Sequence, residues 1–364
     1  MTSFPEGNAI VYCEGAFGTT NGKTAHGLIR YTKRYNIISV IDSRHAGKDA
    51  GQVLDGKPNQ IPIFGCLEEA INAGKIKGNK ATHFVIGLTP DGGRLSSEAR
   101  KDVLKAVENN LNIDSGLHDH LLGDPEIAEL GKKHGIQIRD IRRPRDIRDL
   151  HFFSGKIEEV KALKLAYLGT DSAVGKRTSA LILTEALQKK GYKAEMIGTG
   201  QTSWLQGVKY GIIFDSLIND FVSGEIEHVV WSAWNDLYPD ILIIEGQGSI
   251  MNPAYPGGFE ILAAARPDII IIQHVPARMD YDGFPGYPLH SLEKQIKVIE
   301  LLSEKSVIAV TISHEGMNVK KVPKTLEKIT ETTGLPAFDL LLNGADGLVK
   351  ILIPYLNKLK DGYS

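Results

Sequence analysis

The stretch LGTDSAVGKRT, Leu168 to Thr178, constrains this chain more than any other part of it. It follows the apolar run LKLAYL, Leu163 to Leu168, and opens a segment from Lys176 to Lys190 in which Ala180, Leu183, Ala186 and Leu187 share one helical face before Gly191. A strand that ends in a glycine turn and feeds a helix aims backbone N–H groups and the helix dipole at one point, and a lysine at the helix start adds a positive charge there. Such a unit belongs in a parallel sheet, whose strands are buried on both faces and joined by helical crossovers.

The rest of the sequence repeats that grammar in two halves. The first supplies short apolar runs at 8–13 (NAIVYC), 36–41 (NIISVI), 61–64 (IPIF), 83–88 (HFVIGL) and 136–141 (IQIRDI), with helical patterns around 24–33, 67–73, 97–109 and 125–134. A charged stretch from Arg142 to about Glu159 interrupts the pattern, which resumes with strands at 163–168, 194–197, 241–244, 268–272 and 307–311. The expected fold class is α/β: an N-terminal Rossmann-like parallel-sheet domain over 1–155 and a C-terminal P-loop NTPase-like α/β domain over 156–364. The formal net charge of −2 gives no general attraction to nucleic acid or anionic lipid, so neither partner is expected. Cys13 and Cys66 are too few for a disulfide framework, and neither a signal peptide nor a membrane-length apolar run is visible, so a cytoplasmic protein is expected.

The glycine loop departs from the common phosphate loop in two ways. One extra residue separates Gly169 from Gly175, and Arg177 stands directly after Lys176 where Ser or Thr is usual. The candidate cofactor-binding residues are Gly169, Thr170, Asp171, Val174, Gly175, Lys176, Arg177 and Thr178. Arginine carries only donors, so it cannot ligate the magnesium ion that the usual hydroxyl holds. Thr178 offers a hydroxyl one position later, turned by about 100° around the helix. Binding of a phosphorylated ligand is therefore expected, with hydrolysis by the usual arrangement in doubt.

Two strand ends supply further candidates. Glu245, at the end of ILIIE, is a candidate metal ligand together with Thr178, because Mg²⁺ takes hard oxygen ligands beside phosphate oxygens. His274 closes the run DIIIIQH and is followed by Arg278, at the edge of the sheet where ligands gather. His274 is the candidate general base, with Glu245 as the alternative; a purely structural histidine is the competing reading. In the first half, Gly15, Gly18 and Lys23 of EGAFGTTNGKT form a second candidate anion turn, balanced against an ordinary structural turn. The cluster LHDH at 117–120 reads as a loop rather than a metal site, and Trp204, Trp231 and Trp234 as core or interface residues.

GTDSAVGK and the following IIEGQG at 243–248 resemble the phosphate loop and acidic strand end of dethiobiotin synthetase-type enzymes. Over nearly its full length the chain resembles a two-domain P-loop family of formerly unknown function that includes D-glutamate N-acetyltransferases. The carriers are EGAFGTTNGKTAHGLIRY (14–31), VIDSRHAGKDAG (40–51), IPIFGCLEEAI (61–71), GTGQTSWL (198–205), EGQGSIMNPAYPG (245–257) and HVPAR (274–278). The segment ISHEGMN (312–318) departs from the asparagine-bearing strand end expected there, which leaves base recognition open. The first half is also similar in rhythm to the CoA-binding domain of succinyl-CoA synthetase. These resemblances imply acetyl transfer from acetyl-CoA to the amine of a small acidic amino acid such as D-glutamate; a homo-oligomer is expected separately. The alternatives are an ATP- and Mg²⁺-dependent ligase or kinase, and a nucleotide-gated binding protein.

Overall fold

The computed structural model describes residues 4–362 and separates into two compact units. One comprises the chain up to Pro144 together with Gln201–Val208; the other comprises Arg145–Gly200 and the chain from Lys209 onward.

In the first unit the chain runs β1 (Gly7–Tyr12), α1 (Lys23–Arg30), β2 (Tyr35–Ile41), α2 (Ala50–Asp55), β3 (Ile63–Phe64), α3 (Leu67–Ile76), β4 (His83–Ile86), α4 (Ser97–Glu108), β5 (Asn112–Ser115), α5 (Pro125–His134) and β6 (Ile138–Asp140). The six strands are parallel in the order β3-β2-β1-β4-β5-β6, the Rossmann-like arrangement. Side chains from the two faces feed separate cores, one around Phe84, Ile113 and Val103, the other around Val11, Leu28 and Val85. Strand β5 has the polar sequence NIDS and is not foreseen by apolar patterning. Its Asp114 is fully buried because Arg139 and the Tyr35 hydroxyl, 2.7 Å away, satisfy the carboxylate.

A short helix, α7 (Gln201–Leu205), lies in this unit although it comes from the second half of the sequence. Polar pairing and an aromatic anchor hold it. Thr202 and Thr24 share a 2.7 Å hydroxyl contact, Gln206 donates to the carbonyls of Gly27 and Tyr31, and the Arg34 guanidinium stacks over Trp204 at 3.7 Å. Trp204 is thus an anchor inside one unit.

The second unit contains β7 (Leu163–Gly169), α6 (Lys176–Lys189), β8 (Ala194–Gly198), β9 (Tyr210–Gly211), α8 (Asn219–Leu237), β10 (Ile241–Glu245), β11 (Ile269–His274), α9 (Leu292–Ser303), β12 (Val307–Ile312), α10 (Val322–Thr333), β13 (Ala337–Phe338), α11 (Leu340–Asn343) and α12 (Asp346–Gly362). Its seven parallel strands are ordered β13-β12-β11-β7-β10-β8-β9. Strands β8–β10 lie on one side of β7 and β11–β13 on the other, so β7 sits at a switch point, where open α/β sheets bind their ligands beyond the strand ends. Every residue of β7 is buried, as a central parallel strand requires.

The charged stretch after Arg145 goes with this second unit. Buried Glu225 and Glu227 of α8 accept hydrogen bonds from the backbone N–H groups of His151 (2.7 Å), Ser154 (2.7 Å) and Ile157 (3.2 Å), strapping the segment onto the helix. Gly224 permits the approach, since a Cβ there would lie 2.1 Å from the His151 carbonyl oxygen. Among the described residues no helix is long and apolar enough to cross a membrane.

Candidate functional site

The site is built on the end of β7. Gly169 ends the strand, and a Cβ there would fall 2.8 Å from Cδ of Lys176 and 2.9 Å from Cγ2 of Val174. The turn closes through Gly175 at φ +97°, a left-handed conformation that a side chain resists. Gly175 provides no side-chain cap for α6, whose first turn carries Lys176, Arg177 and Thr178. The first turn of α6 and the positive end of its dipole therefore face the turn, the arrangement that suits an anion. Lys176 is 7% exposed, and its Nζ donates to the carbonyl oxygens of Asp171 and Gly248, each at 2.7 Å.

The neighbouring strands bring in the other two candidates. Glu245 stands opposite Tyr167 in the β10–β7 pairing, and Gln273 stands opposite Gly169 in the β11–β7 pairing, with His274 one residue on. The two strand-end side chains thus flank the loop on either side of β7. One Glu245 carboxylate oxygen accepts from the Thr199 N–H at 3.1 Å, and the Gly246 N–H donates to the Tyr167 carbonyl at 2.9 Å. His274 Nδ1 pairs with the Thr170 hydroxyl at 3.0 Å, while the Thr170 N–H donates to the Gln273 carbonyl at 2.9 Å. Burial, reinforced by the Arg278 guanidinium against an opposing pull from Glu293, lowers the His274 pKa from 6.5 to about 4. The ring is neutral near pH 7, and its proton affinity is low for a general base.

That depression has a consequence for stability. Between pH 6.5 and pH 4 the unfolded chain binds a proton at His274 that the folded chain refuses, so this contribution is full above pH 6.5 and is lost as pH falls toward 4. From about pH 7 to about pH 5 the loss amounts to about 2 kcal/mol. His274→Asn should be less stable at neutral pH yet show an acid-induced loss smaller by that amount, measured by urea unfolding at both pH values. Equal losses in variant and wild type would refute the assignment.

Asp171 is the fixed point of the loop. It is fully buried and accepts four hydrogen bonds: from the Ser172 N–H (2.7 Å) and Asn252 Nδ2 (2.7 Å) on one oxygen, and from Arg278 Nη1 (2.8 Å) and the Asp282 N–H (2.8 Å) on the other. Its side chain therefore shapes the loop and ties it to the segments after β10 and β11. The sequence marks Asp171 and Arg278 singly but not their pairing, and it marks neither Asn252 nor Asp282. Nothing in local spacing marks residues whose role is to meet a carboxylate so far away along the chain.

Residues 151–349 match the family model described as a domain of unknown function, DUF1611_C, P-loop domain, and residues 43–144 match the DUF1611_N Rossmann-like domain. The chain belongs to the DUF1611 family. A crystal structure of a DUF1611 family protein from Anabaena variabilis shares the fold, with a TM-score of 0.87 at 24% identity, covering 96% of this chain and 99% of that one. Two relatives carry the name D-glutamate N-acetyltransferase. The one from Tritonibacter scottomollicae is 29% identical over 327 residues, covering 84% of this chain and 94% of its own length. The one from Pseudoalteromonas sp is 31% identical over 276 residues, covering 74% and 80% respectively.

In the Rossmann-like unit of this DUF1611 protein, the turn carrying Gly15, Gly18 and Lys23 lies between β1 and α1 and is internally tied. Gly15 has φ +69°, the buried Asp42 carboxylate accepts from the Phe17 and Arg44 N–H groups, each at 2.9 Å, and His26 Nε2 pairs with the Phe17 carbonyl at 2.7 Å. A Cβ on Gly18 would lie 2.9 Å from the His45 ring, and Lys23 begins α1 at the surface. In the 117–120 stretch, Asp119 accepts from the Leu95 N–H at 2.8 Å, an ordinary loop contact.

Proposed function

We propose that this DUF1611 protein is an N-acetyltransferase that moves the acetyl group of acetyl-CoA to the amine of a small acidic amino acid, with D-glutamate as the acceptor. The observation that carries this reading is similarity along most of the chain to two proteins named for that reaction. The phosphate loop supports it by offering a seat for the phosphates of the donor. Lys176, Arg177 and the first N–H groups of α6 would hold those phosphates by charge-assisted hydrogen bonds.

In the transfer, the neutral amine nitrogen attacks the thioester carbon, the C–S bond breaks, and the proton shed by nitrogen passes to a base while the thiolate leaves. Glu245 and His274 are the groups in this role that flank the loop. His274 also holds Thr170, and with it the loop, through its Nδ1 contact with the Thr170 hydroxyl. Under the proposal the base is one of these two strand-end groups.

Glu245 also motivates the second reading, an ATP-dependent ligase or kinase. A carboxylate at the end of the strand beside β7 suits a magnesium ion, which Glu245 and Thr178 would hold beside the nucleotide phosphates. The deciding experiment incubates the purified protein with D-glutamate, L-glutamate or D-aspartate and either acetyl-CoA or ATP with Mg²⁺. Free thiol formed together with N-acetyl-D-glutamate is the expected result. ADP formed in step with amino-acid consumption, without loss of acetyl-CoA, would replace the acetyltransferase by the ligase; a ligand bound with neither product formed would leave a binding protein.

A further inference from the structure

Arg177 deprives the loop of the hydroxyl that ordinarily follows its lysine, and the segment after β10 carries a hydroxyl with no use inside the fold. Ser249 is 2% exposed and its Oγ has no hydrogen-bond partner. Its main chain, by contrast, is fully engaged: the N–H donates to the Tyr255 carbonyl at 3.2 Å and the carbonyl accepts from the Asn252 N–H at 3.2 Å. A buried hydroxyl left unpaired costs stability, and such groups occur in native proteins chiefly where something absent from the protein chain satisfies them.

The location of this hydroxyl is specific. Ser249 is bonded directly to Gly248, whose carbonyl oxygen receives Lys176 Nζ at 2.7 Å. Gly248 adopts φ +41°, and a Cβ there would lie 2.0 Å from the Tyr255 carbonyl oxygen, so the peptide joining 248 to 249 is held in a turn closed to larger residues. Three residues on, Asn252 donates to the buried Asp171 carboxylate of the loop. The turn that carries Ser249 is therefore fastened to the phosphate loop at two points, Lys176 and Asp171.

We propose that Ser249 is a ligand-binding residue of the phosphate loop, donating its hydroxyl to a phosphoryl oxygen of the bound ligand. The inference rests on the reading of the loop as a phosphate site and adds to it a second chain segment. One acceptor oxygen on the ligand matches the one hydroxyl proton, and the main-chain hydrogen bonds of Ser249 stay in place.

The test is calorimetric titration of wild type, Ser249→Ala and Lys176→Ala with ATP, CoA and acetyl-CoA in separate arms, with adenosine and pantetheine as ligands lacking the phosphates. Thermal melting of each protein without ligand accompanies it. Ser249→Ala is expected to melt no lower than wild type, because it removes an unsatisfied group, and to bind the preferred phosphorylated ligand about tenfold or more weakly. The arm that responds identifies whether that ligand is a nucleoside triphosphate or a CoA derivative. Wild-type affinity in Ser249→Ala, or a melting temperature well below wild type, would overturn the proposal, the latter by revealing a structural partner for the hydroxyl. Undiminished affinity in Lys176→Ala, or no binding of any phosphorylated ligand by wild type, would remove the phosphate site and this inference with it. Loss in Lys176→Ala alone would keep the site and reject Ser249.

Discussion

Lys176→Ala is expected to weaken binding of the phosphorylated donor by about a hundredfold or more, the largest effect on binding of any single change in the site. The ammonium group is nearly inaccessible to solvent, at 7% exposure for the residue, and rests on two carbonyl oxygens at the mouth of the turn. A charge held in so dry a place acts on a phosphate through a lower effective dielectric than a surface lysine would. Charge-assisted hydrogen bonds contribute about 1.5–3 kcal/mol each, and loss of the full charge beside a polyanion reaches the upper end of that range, or about two decades in affinity. Removing the side chain also leaves the Asp171 and Gly248 carbonyls without this donor, so Lys176→Met, which keeps most of the stem, is the companion variant. Titration with CoA and ATP checks the expectation. Affinities of both variants within threefold of wild type would mean that the loop holds no phosphate.

Much of the architecture around Lys176 was legible because its causes are local. An unbroken apolar run, a glycine that cannot tolerate a Cβ and a lysine opening an amphipathic segment are adjacent in the chain, and together they specify β7, the turn and α6. Glu245 and His274 were legible for a related reason: each ends a run of buried aliphatic residues, and the ends of parallel strands share one edge. Strand β5 was not legible, because its buried Asp114 relies on Arg139 and Tyr35, which lie 25 and 79 residues away. The stretch 145–157 read as a charged interruption for the same reason, since its backbone is satisfied by Glu225 and Glu227, more than 60 residues downstream. Placement of α7 with the first unit was equally hidden, as it depends on Thr24, Gly27 and Arg34 meeting a segment far along the sequence. Candidate chemistry was visible one residue at a time, whereas the supports of that chemistry are pairings at long range.

Asp171 shows what those supports are worth, and Asp171→Ala is expected to destabilise the second unit by about 3–5 kcal/mol. Four donors converge on its carboxylate, and one belongs to Arg278, whose side chain is 10% exposed. Truncation leaves that guanidinium short of its buried counter-charge, with only the Ser172 carbonyl and the distant edge of Glu315 for compensation. Asp171→Asn separates charge from geometry. Its amide oxygen can still accept on one side, while its NH₂ group must then face donors on the other, so a loss of about 2 kcal/mol or more is expected from a substitution that scarcely changes volume. Adding Arg278→Met to Asp171→Ala should recover part of the loss, because the stranded charge leaves with it. Urea unfolding of the two single variants and the double variant measures all three terms. A loss below about 1 kcal/mol for both Asp171 variants, or strict additivity in the double variant, would show that the carboxylate does not organise the loop. If the coupling is found, the phosphate turn and the segments carrying Ser249 and Arg278 behave as one element, and a change in any of them will be felt at the ligand.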